Sequence, residues 1–278
     1  MTTKTPSCKD PLMTSSPDFA NCWFWICGAT SGIGYAVAED LASRGASLVL
    51  MARNKENLQV AATKLKQAGA AEIILAPLDI THPDTPSRAA GLIEKLTLAG
   101  ILLNGGGPPG LRAGSIKAAD MVSAHSLLLL GPVLLLEALL PKLQTPGASV
   151  VAITSTTVKQ VNPDLVLSAA YRSALVAYLK HLSDEVGPRG IRINNVAPGF
   201  TETERLNELG QHIAKASQNK NTVEALEQVR QKWRESASLK RMAQPKEIAS
   251  VCRFLFSNEA SFITGQTIVA DGGQIQTY

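Results

Sequence analysis

The chain has 278 residues, of which 45% are hydrophobic and 18% charged, and its net charge is +4. This length and composition are typical of one large α/β domain that can bury a full core. The charge excess is too small for a strongly basic chain that binds nucleic acid or an anionic membrane surface, and we predict neither partner.

The N-terminal segment is rich in Thr, Ser, Pro and Lys and has no apolar core of signal-peptide length. We therefore predict a disordered tail over residues 1–20 and a single domain over residues 21–278. The four cysteines have no metal-ligand spacing, and Cys22 and Cys27 are expected to be buried thiols. We expect no metal site and a cytoplasmic location.

Short apolar runs alternate with helical patterns along the whole chain. Strands are predicted at 22–26, 46–52, 72–78, 100–103, 149–154, 191–196 and 266–270. Helices are predicted from residue 33 and at 55–67, 86–98, 121–143, 165–186 and 245–256, with a charged helical insertion between residues 204 and 240. The apolar run 127–140 is too short to span a bilayer, so we expect a buried or interface helix there.

This alternation predicts a Rossmann-type α/β fold, a single-domain, doubly wound parallel sheet of about seven strands with helices on both faces. Such sheets bind ligands beyond the carboxyl ends of their strands, at the point where the strand order reverses. The loops expected there are 28–34, 53–54, 79–80, 104–109, 155–163 and 197–203. The basic segment 204–246 is interpreted as a solvated helical region or one that meets an anionic ligand.

Residues 27–34 read Cys-Gly-Ala-Thr-Ser-Gly-Ile-Gly and directly follow the first predicted strand. In this position Gly28 permits a tight turn, Gly32 lets the main chain approach a phosphate, and Gly34 lets the helix pack on the strand. The free N–H groups at the helix start would then face an anion. The pattern predicts a nucleotide-phosphate site, and an ordinary turn is the alternative.

Three residues at strand ends offer contacts to the rest of a dinucleotide. Arg53 follows the second strand where a carboxylate would favour NAD, and its guanidinium suits the 2′-phosphate of NADP(H), although it could simply face solvent. Asp79 could accept a hydrogen bond from adenine or cap a helix. Asn104 could hold a ribose or lock neighbouring strands together.

Taken together, these motifs resemble the classical short-chain dehydrogenase/reductase family over about residues 22–273. The matching residues are 28–34, Asp79, Asn104, Ser155, 192–199, Thr203, 264–266 and 271–273. The stretch 104–109, and Ser155 followed by Val158-Lys159-Gln160, resemble the 3-oxoacyl-carrier-protein-reductase-like branch.

The resemblance implies a set of cofactor contacts and a subunit arrangement. Residues 204–240 would cover the substrate, and segments 127–140 and 165–186 would form contacts in a homo-oligomer, a dimer or tetramer. The residues expected to bind NADP(H) are Gly28, Thr30, Ser31, Gly32, Ile33, Gly34, Arg53, Asp79, Ile80, Asn104, Gly105, Gly106, Pro198, Gly199, Phe200, Thr201 and Thr203.

The chain departs from the family's catalytic pattern of Asn, Ser, Tyr and Lys. By spacing, Ser155 fills the Ser position, while Leu128, Ser168 and Arg172 stand at the Asn, Tyr and Lys positions. A serine hydroxyl is a much weaker acid than a phenol, so Ser168 cannot simply replace the tyrosine. Arg172 can still donate to ribose hydroxyls.

Two further residues are candidate catalytic groups beside Ser155 and Arg172. Tyr171 lies three residues after Ser168 and could reach the substrate from a shifted position, or could pack at the helix surface. Lys159 lies on the loop after Ser155 and could approach the site, or could be a solvated lysine.

The first functional hypothesis is an NADP(H)-dependent reductase of a small ketone or a 3-oxoacyl-type thioester, with non-standard proton donation. The alternative is an NADP(H)-binding protein without redox turnover, such as a sensor or a structural partner subunit, because three catalytic groups are replaced together.

Overall fold

The computed structural model describes residues 19–216 and 222–277. The strands are β1 Trp23–Cys27, β2 Ser47–Ala52, β3 Ile73–Pro77, β4 Leu98–Leu103, β5 Ser149–Ile153, β6 Arg192–Pro198 and β7 Thr267–Ala270. The helices are α1 Gly32–Ala42, α2 Lys55–Gln67, α3 Thr85–Leu92, α4 Ala118–His125, α5 Gly131–Leu139, α6 Val166–Val186, α7 Glu204–Ala216, α8 Thr222–Ser236 and α9 Pro245–Phe256.

The seven strands form one sheet in the order β3-β2-β1-β4-β5-β6-β7, and every neighbouring pair is parallel. The predicted single doubly wound sheet is thus confirmed. The strand order reverses between β1 and β4, so a crevice opens there at the carboxyl ends of the strands.

Helices cover both faces of the sheet, and side chains alternate between the two cores along β1. Phe24 and Ile26 point into the core under α1, α2 and α9, whereas Trp25 and Cys27 point into the core under α3, α5 and α6. Burial on both faces explains why the strands read as continuous apolar runs. A third, smaller cluster around Trp233 joins α7 and α8.

The helix predicted at 86–98 is shorter than expected, because α3 ends at Leu92 and β4 already begins at Leu98. The helix predicted at 121–143 contains a feature that the sequence pattern did not indicate. A π-helical turn, Ser126–Leu130, joins α4 to α5 without a break. Such turns insert one extra residue per turn and often lie at functional sites.

The continuous helix Ala118–Lys142 has 25 residues and, among the described residues, is the one helix whose length and composition would suffice to cross a membrane. The apolar run 127–140 was expected to be too short, but α4 lengthens the helix that contains it. In the folded chain Leu135, Leu136 and Leu139 are fully buried in the sheet core. The helix therefore serves as a core element.

The part of the predicted tail before residue 19 lies outside the described residues, whereas Phe19 is buried edge-on against the ring of Phe24. Cys27 is a free, buried thiol, as predicted, and burial raises its pKa to about 12. Cys22 is buried but disulfide-bonded, so the expectation of a thiol there is wrong. The cytoplasmic location stays a prediction, and the cysteine pattern no longer supports it.

Candidate functional site

A cleft of about 810 Å³ lies at the carboxyl ends of the strands, over the reversal between β1 and β4. A cavity of this size is in the range that holds a small molecule or cofactor. The predicted loops meet there, and of the seventeen residues expected to bind the cofactor only Gly34 is absent from its lining.

The glycine-rich turn forms one end of this cleft. Gly28 and Gly32 have positive φ angles of 64° and 57°, which side chains rarely adopt. A Cβ on Gly34 would lie 2.2 Å from the carbonyl oxygen of Gly28, so Gly34 is needed for the close packing of α1 on β1. Because α1 begins at Gly32 with no acidic residue in its first turn, its free N–H groups can receive an anion.

Arg53 and Asp79 lie on the wall that follows β2 and β3. Partial burial would raise the pKa of Asp79, but hydrogen bonds from the amide and hydroxyl of Thr81, with the nearby charges of Arg53 and His82, lower it overall. Asp79 therefore stays ionised near the guanidinium of Arg53. The alternative of Asp79 as a helix cap is wrong, since α3 starts several residues later, after Asp84.

Asn104 joins the two strands at the reversal point. Its side-chain amide donates to the carbonyl oxygen of Cys27 at 3.3 Å and so ties the end of β4 to the end of β1. This bond is the strand-locking role expected of Asn104, and its contact with a ribose stays a prediction. The following loop, Gly105 to Pro108, forms the cleft floor, and a Cβ on Gly106 would meet only open space.

The segment after β6 forms the wall opposite the glycine-rich turn. Thr203 approaches that turn closely, because a Cβ on Gly32 would lie 3.2 Å from its methyl carbon. The Phe200 amide donates to the side chain of Gln274 at 3.2 Å, which fixes this segment to the chain after β7. The expected residues of this segment are all in the cleft lining: Pro198, Gly199, Phe200, Thr201 and Thr203.

Ser155, Ser168 and Arg172 line the cleft beyond its glycine-rich end. The Ser155 hydroxyl accepts from the Thr157 amide at 3.2 Å, which leaves its own proton available to donate. Arg172 donates from Nε to the Ser168 hydroxyl at 3.2 Å, and from its terminal nitrogens to the carbonyl oxygens of Ile153 at 2.7 Å and Gly106 at 3.3 Å.

Arg172 is buried, with 9% of its surface exposed, yet every one of these acceptors is neutral. Among residues 19–216 and 222–277, no carboxylate lies within ion-pair distance of it. Burial, and then the nearby charge of Arg205, lower the pKa of Arg172 to about 10. Arg172 therefore remains a cation at neutral pH, and its charge is available to a ligand.

The structure does not bring Tyr171 or Lys159 into the cleft lining. Tyr171 faces α4, where its ring lies 5.7 Å from that of His125. Lys159 is exposed on the loop after Ser155. Their catalytic roles are not supported by these positions, whereas Ser155 and Arg172 both line the cleft, and their catalytic roles stay predictions.

Several lining residues were not among the sequence candidates. Arg205 lies over the cleft floor, where it donates to the carbonyl oxygen of Pro108 and to Glu208 at 3.2 Å. The available signal was the basic character of the segment after residue 204, which identified no particular arginine. The other additions include an apolar group made by Leu127, Leu165, Leu206 and Leu209.

A parallel sheet with a glycine-rich first turn, a cleft at the strand reversal and a serine at its centre defines a dinucleotide-binding α/β protein. A family model described as enoyl-(acyl carrier protein) reductase matches residues 28–274. The chain belongs to the short-chain dehydrogenase/reductase family of oxidoreductases, in its classical form.

Curated proteins and solved structures resemble this chain over most of its length. The 7alpha-hydroxysteroid dehydrogenase of Escherichia coli (strain K12) is 27% identical over 253 residues, which are 90% of this chain and 93% of that protein. L-sorbose reductase from Gluconobacter frateurii, solved with NADPH and L-sorbose, is 24% identical with a TM-score of 0.84, covering 94% of this chain and 99% of that one. A 3-oxoacyl-[acyl-carrier protein] reductase from Brucella melitensis, solved with NAD, is 25% identical with a TM-score of 0.77 and covers 94% of each chain.

The residues present fit the nicotinamide dinucleotide that this family uses. Gly32 has a positive φ angle, and a Cβ on it would lie 3.2 Å from the methyl carbon of Thr203. A side chain at this position would therefore fill the space between the glycine-rich turn and Thr203. The helix start beside it can bind a diphosphate. Beyond it, Asn104 to Gly106 and Ser155 provide polar groups along the floor.

Proposed function

We propose that this protein is an NADP(H)-dependent reductase that converts a ketone or 3-oxoacyl-type carbonyl group into an alcohol. The observation that carries this proposal is the convergence of Ser155, Ser168 and Arg172 on one cleft that also contains the glycine-rich turn. When bound, a reduced nicotinamide would supply a hydride to the carbonyl carbon. The protein must then stabilise, and protonate, the oxygen on which negative charge develops.

The hydroxyls of Ser155 and Ser168 are suited to donate hydrogen bonds to that oxygen. Ser168 accepts from Arg172 Nε, and this polarises its own O–H bond toward the substrate. An alkoxide formed by reduction is a base of strength similar to a serine alkoxide, so a proton can pass from Ser168 to it with little energy difference. Ser168 regains the proton from solvent, and the Arg172 cation stabilises the charge in between.

Arg53 supports NADP(H) over NAD(H), because the two loop residues between β2 and α2, Arg53 and Asn54, provide a guanidinium and no carboxylate. Of the two solved structures described above, one contains NADPH and the other NAD. The preference is thus a proposal that depends on Arg53.

The proposed enzyme is a homo-oligomer. Its support is the set of exposed apolar side chains on the α4–α5 helix, Met121, Val122, Leu130 and Leu134. Large exposed apolar residues clustered on one helix are typical of an interaction surface.

The test is consumption of NADPH by the purified protein with a panel of ketones and 3-oxoacyl thioesters. Ser155→Ala should lower kcat/KM by about 10²-fold, the usual cost of losing one oxyanion donor. Ser173→Ala, an exposed serine on α6, is the matched control and should retain activity. Tight NADPH binding without turnover of any carbonyl compound would instead favour a dinucleotide-binding protein without redox activity.

A further inference from the structure

Two guanidinium groups donate to the cleft floor between residues 105 and 108. Arg172, on α6, donates to the carbonyl oxygen of Gly106, and Arg205, on α7, donates to the carbonyl oxygen of Pro108. Their charges are close enough that Arg205 contributes to lowering the pKa of Arg172. Two cations are therefore brought together at the substrate end of the cleft.

Neither guanidinium is saturated by the bonds it makes within the described residues. Arg172 uses three of its five N–H groups and Arg205 two, so both keep donors for a further acceptor. The planar arrangement of these donors matches the two oxygens of a carboxylate.

Nearby carboxylates only partly neutralise the positive charges of Arg172 and Arg205. Glu208 bonds to Arg205 but is 60% exposed, and Glu204 is also exposed at the cleft mouth. Water and salt screen such exposed charges, whereas the charge of Arg172 acts through the buried floor of the cleft. Of these four charges, that of Arg172 is therefore screened least.

An apolar wall lies beside the two cations. Leu165, Leu206 and Leu209 line the cleft, together with Phe200, which stacks on Trp233 with ring centroids 4.9 Å apart. A ligand that satisfies both features has a negatively charged group and an aliphatic body.

We infer that the substrate of the proposed reductase is a carbonyl compound that carries a carboxylate, bound by Arg205 close to the Arg172 cation, with its aliphatic part against Leu165, Leu206 and Leu209. This inference rests on the proposed function. It assigns Arg205 as the residue that selects anionic over neutral substrates.

The kinetic test compares 3-oxohexanoate with its methyl ester as substrates in the presence of NADPH. Arg205→Met should lower the preference for the acid, measured as the ratio of the ester's KM to the carboxylate's KM, by about tenfold. Arg234→Met is the matched control, because Arg234 is also ion-paired to a glutamate but lies on α8 outside the cleft lining. Equal KM values for acid and ester in the wild-type protein would overturn the inference and leave the reductase proposal standing.

A binding test separates the inference from the reductase activity. Calorimetry with NADP present should show hexanoate binding to the wild-type protein, hexanamide binding at least about tenfold more weakly, and the difference disappearing in Arg205→Met. Hexanoate binding of this kind without turnover of any carbonyl compound would support the anion site and contradict the reductase. If Arg205→Met weakens NADPH binding but not hexanoate binding, Arg205 holds the cofactor's phosphates and the inference is wrong.

Discussion

Arg172 Nε lies 3.2 Å from the hydroxyl oxygen of Ser168, one helical turn earlier on α6. The spacing of four residues puts both side chains on one helix face, and that face lines the cleft. A buried cation thus contacts a hydroxyl that would otherwise be a poor proton donor. Ser168 and Arg172 stand at the positions where the family pattern has Tyr and Lys.

Arg172→Met should lower kcat/KM by about 10²-fold, because it removes the charge that stabilises the forming alkoxide. Its effect on the free energy of unfolding should stay below about 3 kcal/mol, since relief of a desolvated charge offsets part of the cost of removing the donor from the carbonyl oxygens of Ile153 and Gly106. Steady-state kinetics and urea unfolding measure the two effects. Arg172→Lys, which keeps the charge, should recover part of the activity, and a large loss of stability without loss of activity would contradict this role.

Gly34→Ala should destabilise the protein by at least about 3 kcal/mol and abolish dinucleotide binding, because the new Cβ would lie 2.2 Å from the Gly28 carbonyl oxygen. Gly91→Ala is the matched control in helix α3, where a Cβ meets nothing within 4 Å. Its stability should stay within about 1 kcal/mol of the wild type or exceed it. Thermal unfolding of both variants checks this, and equal melting temperatures would show that the turn tolerates a side chain.

Arg53→Ala should weaken NADPH binding by about 10- to 100-fold and leave NADH binding unchanged, since only NADPH carries the 2′-phosphate. Fluorescence titration with both cofactors measures the ratio. Arg88→Ala provides the control, because Arg88 is an exposed arginine outside the cleft lining. A parallel loss of NADH affinity would place Arg53 elsewhere on the dinucleotide.

Glu247→Gln should lower stability at pH 7 but not near pH 2. Hydrogen bonds from the Arg241 guanidinium and then from the Gln244 amide lower the pKa of Glu247 from 4.5 to about 2. A carboxyl with a depressed folded-state pKa stabilises the fold above its unfolded pKa, and the contribution fades as the pH falls from about 4.5 toward 2. Urea unfolding at several pH values tests this, and a difference that does not depend on pH would contradict it.

The sequence pattern predicted the features that depend on residues close together in the chain. Helices α2 and α9 begin and end at the predicted residues, because amphipathic spacing and clear end signals coincide there. The loops of the cleft followed from the alternation of strands and helices alone, since parallel strands place all their carboxyl ends at one edge.

What could not be predicted depends on how helices are rotated and packed. Tyr171 and Arg172 are adjacent in sequence, and periodicity does not show which of them faces the cleft. Packing of Leu175 and Leu179 in the sheet core sets this rotation, so that Arg172 faces the floor and Tyr171 faces His125. Arg205 reaches Pro108 across 97 positions of the chain, a contact that only the tertiary fold defines.

Gly131, the first residue of α5, brings the backbone of this helix against the wall of the cleft. A Cβ there would lie 2.3 Å from the carbonyl oxygen of Ile80, a residue of the cleft wall. The helix backbone is therefore in direct contact with that wall, because no side chain separates the two. A displacement of α5 toward the sheet would therefore also move Ile80 and reshape this part of the cleft.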